Sequence, residues 1–479
     1  MIKSRIYKCF GIAGISLVYG ACKLPSLAGR TENRQVPAAY SNAGFSDTTN
    51  MAGRVWETFF SDPYLAALID TALKNNQELN IMLQEIEISR NEIKARKGEY
   101  MPFVGIKAGG GIEKVGRYTS QGAGDAVTEI TPGREMPDPL PDYQLGLQAT
   151  WEIDIWHKLR NARKSAVAKY LSSVAGKNFM VTHLVSEIAD AYYELLSLDN
   201  QLDIVRKNIE IQNNVLKIVK LQKEAARVTE LAVRRFEAQV LSTQSLEYDI
   251  RQKITETENE INFLLGRFPQ PVLRNDGNFG SWQPFAMQPG IPSQLLENRP
   301  DIIQAEQNLA AAKLDVKVAR ARFYPSLGIS AAVGYQAFNP SYLFRTPQSL
   351  LYSIAGDLAA PLVNRNAIKA AYYNANARQI QAVYSYEQTV LKAYLEVINQ
   401  ISKVNNLARS YDLKSRQTEA LVQSVSISDN LFKSAKADYM EVLMTQRDAL
   451  EARFELVETR KQQMKALVNI YQVLGGGWK

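Results

Sequence analysis

The chain has 479 residues, room for two or three ordinary domains, and its 46% hydrophobic and 22% charged residues are the balance of a folded protein. Its 56 Lys and Arg against 49 Asp and Glu leave a formal charge of +7, but the signs alternate along the helical stretches and form no basic run, which argues against nucleic acid as a partner. Only Cys9 and Cys22 are present, both near the start, so the body of the chain can build neither a disulfide nor a thiolate metal site.

The first residues read as an export signal. Lys3, Arg5 and Lys8 make a basic n-region, and Gly11 to Val18 is an apolar run too short to span a bilayer as a helix. Gly20 and Ala21 stand directly before Cys22, a pattern that resembles the bacterial lipobox, with Tyr19 where that motif usually has leucine. Cys22 is therefore the expected lipidation site of a mature chain that starts after residue 21. Lys23 rather than Asp follows it, so by the same resemblance nothing retains the product in the inner membrane.

Beyond the signal, glycine and proline are distributed very unevenly. Weak two-residue alternation runs through Val104 to Ile112, and a stronger one from Tyr143 to Ile155 sets Leu145, Leu147, Ala149, Trp151 and Ile153 against Gln144, Gly146, Gln148, Thr150 and Glu152. These are strands of about the length that one membrane-barrel strand needs. No proline lies between Pro141 and Pro269, and a helix is expected from about Leu159 to Ala225, with apolar residues at Val181, Val185, Ile188, Tyr192, Leu195, Leu198, Leu202, Val205 and Ile209. That spacing is close to 3.5 residues, the period of a left-handed coiled coil. At 1.5 Å per residue such a helix is roughly 100 Å long. It must turn near Arg227 and return as a helix from Thr229 to Leu265.

A Gly- and Pro-containing link, Pro269 to Pro292, leads into a second copy of the same plan. Strands are expected at Leu327 to Tyr335 and Tyr352 to Leu358. Between Val363 and Leu474 there is neither glycine nor proline, which predicts helices from Asn366 to Ser434 and from Asp438 to Leu474, turning near Lys436; Val390, Tyr394, Val397, Ile401, Val404, Ala408 and Tyr411 form the seam. Glu99 to Ile106 aligns with Arg322 to Ile329, and Ala191-Tyr192-Tyr193-Glu194 with Ala393-Tyr394-Leu395-Glu396, the mark of an internal duplication. Four strands cannot close a barrel, and open edges are not tolerated in lipid, so at least two chains must share one barrel.

Little chemistry is on offer. His157 and His183 sit in no metal-ligand spacing, and without more histidines a nucleophile and base pair has little to be built from. Gly109-Gly110-Gly111 lies inside a strand pattern and Gly475-Gly476-Gly477 ends the chain; neither precedes a helix as a phosphate loop would, and both read as backbone flexibility. Neither enzymic activity, nor a cofactor, nor a bound metal is expected.

Several runs resemble the TolC-like outer-membrane efflux proteins, in particular the NodT-type lipoprotein components of RND efflux pumps. Trp56, Phe60, Asp62, Pro63, Leu65, Leu68 and Ile69 are similar to that family's opening helix; Leu295 to Ile302, containing Arg299, Pro300 and Asp301, with Phe323-Tyr324-Pro325-Ser326-Leu327, is the most specific match. Trp151 to Ile155 followed by Leu159-Arg160, and the ending Gly475-Gly476-Gly477-Trp478, also resemble it. The resemblance implies an α+β membrane protein: a homotrimer with a twelve-stranded outer-membrane β-barrel continued by a periplasmic α-helical coiled-coil barrel. It divides the chain into a signal (1–21), an N-terminal anchor and equatorial segment (22–61), a first repeat (62–268), a linker (269–291), a second repeat (292–474) and a tail (475–479).

As to function, the resemblance implies passive export of small solutes such as drugs or metal ions, with a periplasmic adaptor, an inner-membrane RND transporter and outer-membrane lipid as partners. A gate is expected at the periplasmic tip, formed by Arg227, Glu230 and Arg234 on one hairpin and Asp438, Tyr439 and Glu441 on the other. Departures fall where the family has glycine: His157 after the second strand, Arg365 and Asn366 after Pro361-Leu362, and Ala226 and Ala435 at the tips; Met444 stands where an aspartate is common. A type I secretion component would share the fold, but the lipobox and the terminal Gly-Gly-Gly-Trp favour the efflux branch. A purely structural coiled-coil lipoprotein would leave the four strands unexplained.

Overall fold

The computed structural model describes residues 25–40, 49–275, 279, 287–363, 365–434 and 436–479. The signal, Cys22, residues 276–278 and 280–286 of the linker, and Ala435 lie outside the described residues. The chain forms two compact units, one of residues 1–31, 87–171 and 307–384, the other of 32–86, 172–306 and 385–479.

In chain order, α1 (Pro63–Asn75) and α2 (Gln77–Tyr100) lead to β1 (Phe103–Glu113), and a short helix α3 (Ser120–Asp125) and the two-stranded ribbon of β2 (Glu129–Thr131) and β3 (Arg134–Glu135) precede β4 (Leu140–Ile153). Then come α4 (Lys158–Glu224) and α5 (Glu230–Leu264), and the second half repeats the plan with α6 (Pro300–Ala321), β5 (Ser326–Ala337), β6 (Leu350–Ala359), α7 (Asn366–Lys433) and α8 (Tyr439–Val473). The expected helix ends hold to within a residue or two. Pro63 and Pro300 each open a helix at its first position, where a missing N–H is harmless, and Asp62 accepts the Tyr64 N–H as the cap of α1.

The first unit is built on an antiparallel sheet in the order β1-β4-β5-β6. Its central register places Leu145 opposite Tyr335 and Trp151 opposite Ile329, so the odd residues of β4 and β5 share a face. Gly146 lies opposite Gly334, and a Cβ on either would come within 2.6 Å of the other strand's backbone. This pair therefore sets how closely the two halves of the duplication approach. At the end of the sheet from which the long helices leave, Ala319, Phe323 and Tyr372 form a small core that includes Leu27.

The second unit buries the predicted seam. Val181, Val185, Ile188, Tyr192, Leu195, Leu198 and Val205 of α4 are all buried, as are Val390, Val397 and Ile401 of α7. Ala408 departs from expectation and is exposed, because the α7 seam continues from Val404 through the half-buried Leu407 to Tyr411. Among the described residues, no helix is long and apolar enough to cross a membrane.

Candidate functional site

The sheet segregates most of its side chains, with Phe103, Leu140 and Leu351 the large apolar residues that fall on the polar face. Register carries the odd residues of β4 and β5 onto the same face as Val104, Ile106 and Ile112 of β1 and Leu350, Tyr352, Ile354 and Leu358 of β6. On this apolar face Ile106, Tyr352 and Ile354 are about four-fifths exposed. The opposite face carries Lys107, Gln144, Gln148, Ser330, Ser353 and Asp357, and there a concavity of about 260 Å³ lies over β4 and β5. A sheet that shows its apolar face to the outside and polar groups on the other inverts the order of a water-soluble protein. It is the arrangement of a barrel wall between lipid and water. Among the described residues, both β1 and β6 have an unpaired edge. Gly109 to Gly111 pair regularly along β1, so the reading of that run as flexible is corrected: the sheet holds it.

The turn from β4 into α4 is capped by Asp154, whose carboxylate accepts the Leu159 and Arg160 N–H groups at 3.0 and 2.9 Å. His157, where glycine was expected, adopts φ +57°. Asp154 was visible in the sequence only as part of a motif; its capping role needed the geometry.

At the first tip, α4 ends in a Schellman turn: the Ala226 N–H donates to Lys223 O and the Arg227 N–H to Gln222 O, with Ala226 at φ +56°. The expected gate residues separate into different roles. Glu230 pairs with Lys223 and, at 2.8 Å, with Arg234, which also reaches Glu237 at 3.0 Å, while Lys220 holds Glu237 from α4. These charges staple the first hairpin to itself, and the contact with Lys223 draws the Glu230 carboxyl below its usual range. At the second tip Asp438 caps α8, accepting the Tyr439 N–H at 2.6 Å. Arg227 and Glu441 are exposed and make no ion pair among the described residues.

Farther from the tips Glu194 of α4 pairs with Lys461 and Lys465 of α8, but at the tips what joins the two hairpins is apolar. Val215, Val219, Ala232, Val233 and Phe236 of the first pack with Phe432 and Val442 of the second, and Tyr439 and Leu443 lie against this cluster. Tyr439 is thus the one expected gate residue placed between the hairpins. Beside it the Arg235 guanidinium donates to Met440 Sδ at 2.8 Å. Phe236 and Phe432 were not anticipated, since each is one apolar position in a long periodic stretch.

The motif residues form two structural corners. Arg299 is buried and donates to both Asp301 oxygens at 3.0 and 2.7 Å, to Glu396 at 2.8 Å and to Val473 O at 2.9 Å. Burial works against its charge, but the carboxylates of Asp301 and Glu396 hold its pKa above the ordinary value. The C-terminal glycines belong to the same corner. Gly475 and Gly477 have φ of +90° and +95°, and a Cβ on Gly475 would meet Asn298 O at 2.4 Å, so this tail is closely packed and the flexible reading of it is also corrected. Trp478 donates to the Asn298 carbonyl at 3.0 Å. At the other corner Tyr324 stacks on Trp156, whose indole N–H donates to Pro325 O at 2.7 Å.

Residues 25–40, within the segment expected as N-terminal anchor and equatorial region, run extended along helices. In the first unit Leu27 enters the core beside Phe323 and Tyr372, Asn376 and Gln379 donate to the Ala28 and Arg30 carbonyls, and Arg30 lies 4.0 Å above the Tyr384 ring. In the second unit Arg34 pairs with Glu306 at 2.8 Å and Tyr40 stacks on Tyr394.

Residues 68–267 and 291–476 match the family described as Outer membrane efflux protein. The chain is 28% identical over 440 residues to the pyoverdine export outer membrane protein OpmQ of Pseudomonas aeruginosa, covering 92% of this chain and 90% of that protein. It is 25% identical to the cation efflux system protein CusC of Escherichia coli, covering 96% and 94%. Among solved structures, the open state of the Neisseria gonorrhoeae MtrE outer membrane channel superposes with a TM-score of 0.83 at 22% identity, covering 95% of this chain and 98% of that one. A membrane protein from Pseudomonas aeruginosa superposes with 0.85 at 23% identity, covering 94% and 99%.

Proposed function

Because the chain belongs to the outer membrane efflux protein family and is an outer-membrane efflux channel, not an enzyme, we propose that it is the passive exit duct of a tripartite RND-type system, working as a homotrimer. The observation that carries this reading is the four-stranded sheet with one apolar face, one polar face and two unpaired edges. Three copies pair those edges into twelve strands, with the apolar faces toward lipid and the polar faces around water. A periplasmic adaptor and an inner-membrane transporter then supply engagement and energy, and small solutes are the cargo. Relatives named for pyoverdine and for cations share this plan, which supports a duct whose selectivity resides mainly in its pump.

Lipidation at Cys22 belongs to the same reading. Leu27, five residues on, packs at the end of the sheet from which the helices leave. Five residues reach at most about 18 Å, so acyl chains on Cys22 would lie within reach of the leaflet bordering that end. Mass spectrometry of the mature N-terminus should show an acylated Cys22, and Cys22→Ser should impair anchoring and sorting more than folding. An unmodified N-terminus at another residue would refute lipidation. For the duct itself, purified trimers in a planar bilayer should conduct ions; intact trimers that stay silent would indicate a structural lipoprotein instead.

A further inference from the structure

The two ends of the sheet differ in charge. Four connections leave one end: α2 into β1, β4 into α4, α6 into β5 and β6 into α7. Residues 94–100, 154–169, 313–324 and 361–369 in those connections carry fourteen Lys and Arg against three acids, Glu99, Asp154 and Asp315. The loops at the other end, residues 114–142 and 338–349, carry four Lys and Arg against five acids. Register fixes that the four basic stretches share one end, since Phe103 pairs with Thr150, Ile153 with Leu327, and Ser326 with Ala359.

The acids at the basic end are already engaged: Asp154 with Arg160, Asp315 with Lys169 and Glu99 with Arg96. Arg163, Lys164, Arg320, Arg322, Arg365 and Lys369 make no ion pair among the described residues, and all but Arg365 are exposed. Between them and the apolar face lie the exposed side chains of Ile155, Trp156, Leu362 and Val363. Along the strand direction, an apolar face gives way to an apolar fringe that contains Trp156 and then to cations without an ion pair. That is the polarity profile of a leaflet, from acyl chain through the interface to phosphate.

We propose that this collar binds the phosphate headgroups of anionic phospholipids in the periplasmic leaflet of the outer membrane and so fixes the depth at which the barrel sits. The proposal rests on the barrel reading above. It identifies the partner by charge complementarity and by continuity with the lipid-facing surface, and it assigns the collar a phosphatidylglycerol-like ligand.

The test uses the full-length trimer in neutral detergent, titrated with phosphatidylglycerol or phosphatidylcholine carrying dibrominated chains, with quenching of Trp151 and Trp156 as the readout. Phosphatidylglycerol should associate about five-fold more strongly at about 0.1 M salt, and the preference should fade at about 0.5 M salt. R163Q/K164Q/R320Q/R322Q should abolish the preference, whereas the charge-retaining R320K/R322K should keep it. If the quadruple variant does not assemble, the salt series and the lysine variant still decide. Equal quenching by both lipids in the wild type overturns the collar and leaves the duct standing; no quenching by either overturns the barrel. Loss of the preference on adding millimolar glycerol phosphate at constant ionic strength would assign the cations to a free phosphate and overturn the leaflet contact.

Discussion

Ala226 and His157 occupy the left-handed region with side chains that disfavour it, at a cost of about 1 kcal/mol each relative to glycine. Ala226→Gly and His157→Gly should therefore each raise the thermal unfolding midpoint, and a lowered midpoint for both would show that the backbone bears no strain there. That glycine was the expected residue at each position could be seen in the sequence from the family resemblance; the φ angles explain why the resemblance has it there. Asp190 offers a second residue-scale prediction. Burial pushes its carboxyl up to about 6, against the opposing pull of Lys465 and of a hydrogen bond from Asn469, and Oδ1 has no partner among the described residues. The folded state thus holds this proton more tightly than the unfolded chain does, so the contribution of Asp190 to stability is fully present below about pH 4 and is lost as pH rises through 6. Asp190→Asn should remove that loss, stabilising the protein by about 1 kcal/mol at pH 7.5 and by little at pH 4, as read from denaturant midpoints at both pH values.

At the level of elements, the strand faces make the sharpest demand. Ile329 sits opposite Trp151 and Gly356 on the apolar face, and Ser330 opposite Thr150 and Ala355 on the polar one. A cation at the lipid midplane costs about 2 to 4 kcal/mol, whereas a water-filled lumen accepts it. Ile329→Arg should reduce assembled trimer in the outer membrane fraction while Ser330→Arg leaves it near the wild-type level; equal loss would mean that the faces are reversed or that the sheet is not a barrel wall. These strands and the long helices were legible because each obeys one period over ten or more residues. The periodic signal is absent from the strap 25–40, which takes its conformation from contacts such as Arg34–Glu306 and Tyr40–Tyr394, hundreds of residues away in sequence. It is equally absent from α3 and the β2–β3 ribbon, where turn residues and short runs decide. The Arg299 corner shows the same division. Its motif could be recognised, but that Val473 O and Glu396 complete it could not.

For the whole molecule, duplication gives two hairpins whose tips meet, and the question is what keeps them together. The family resemblance implied charge, through Arg227, Glu230, Arg234, Asp438 and Glu441 with Tyr439 at the two turns. Glu230 and Arg234, however, are spent within their own hairpin, and Asp438 is spent on capping α8. The surface that the hairpins share at their tips is the cluster of Val219, Phe236, Phe432 and Val442 with Tyr439 beside it. Exposed ion pairs contribute about 0 to 1 kcal/mol, whereas truncating a buried Phe to Ala removes about 3 to 5 kcal/mol of packing. If the tip is the gate, its closed state then rests on the apolar cluster, repeated three times around the axis of a trimer. Phe236→Ala together with Val442→Ala should raise single-channel conductance in planar bilayers far more than Glu441→Arg, which alters one exposed charge at the start of α8. Asp438→Arg must be read with care for its cap, since loss of that hydrogen bond frays the helix whatever the charge does. Trimer content by cross-linking, measured on the same samples, separates gating from assembly. A conductance unchanged by the double alanine variant but raised by Glu441→Arg, with trimers intact in both, would return the gate to electrostatics.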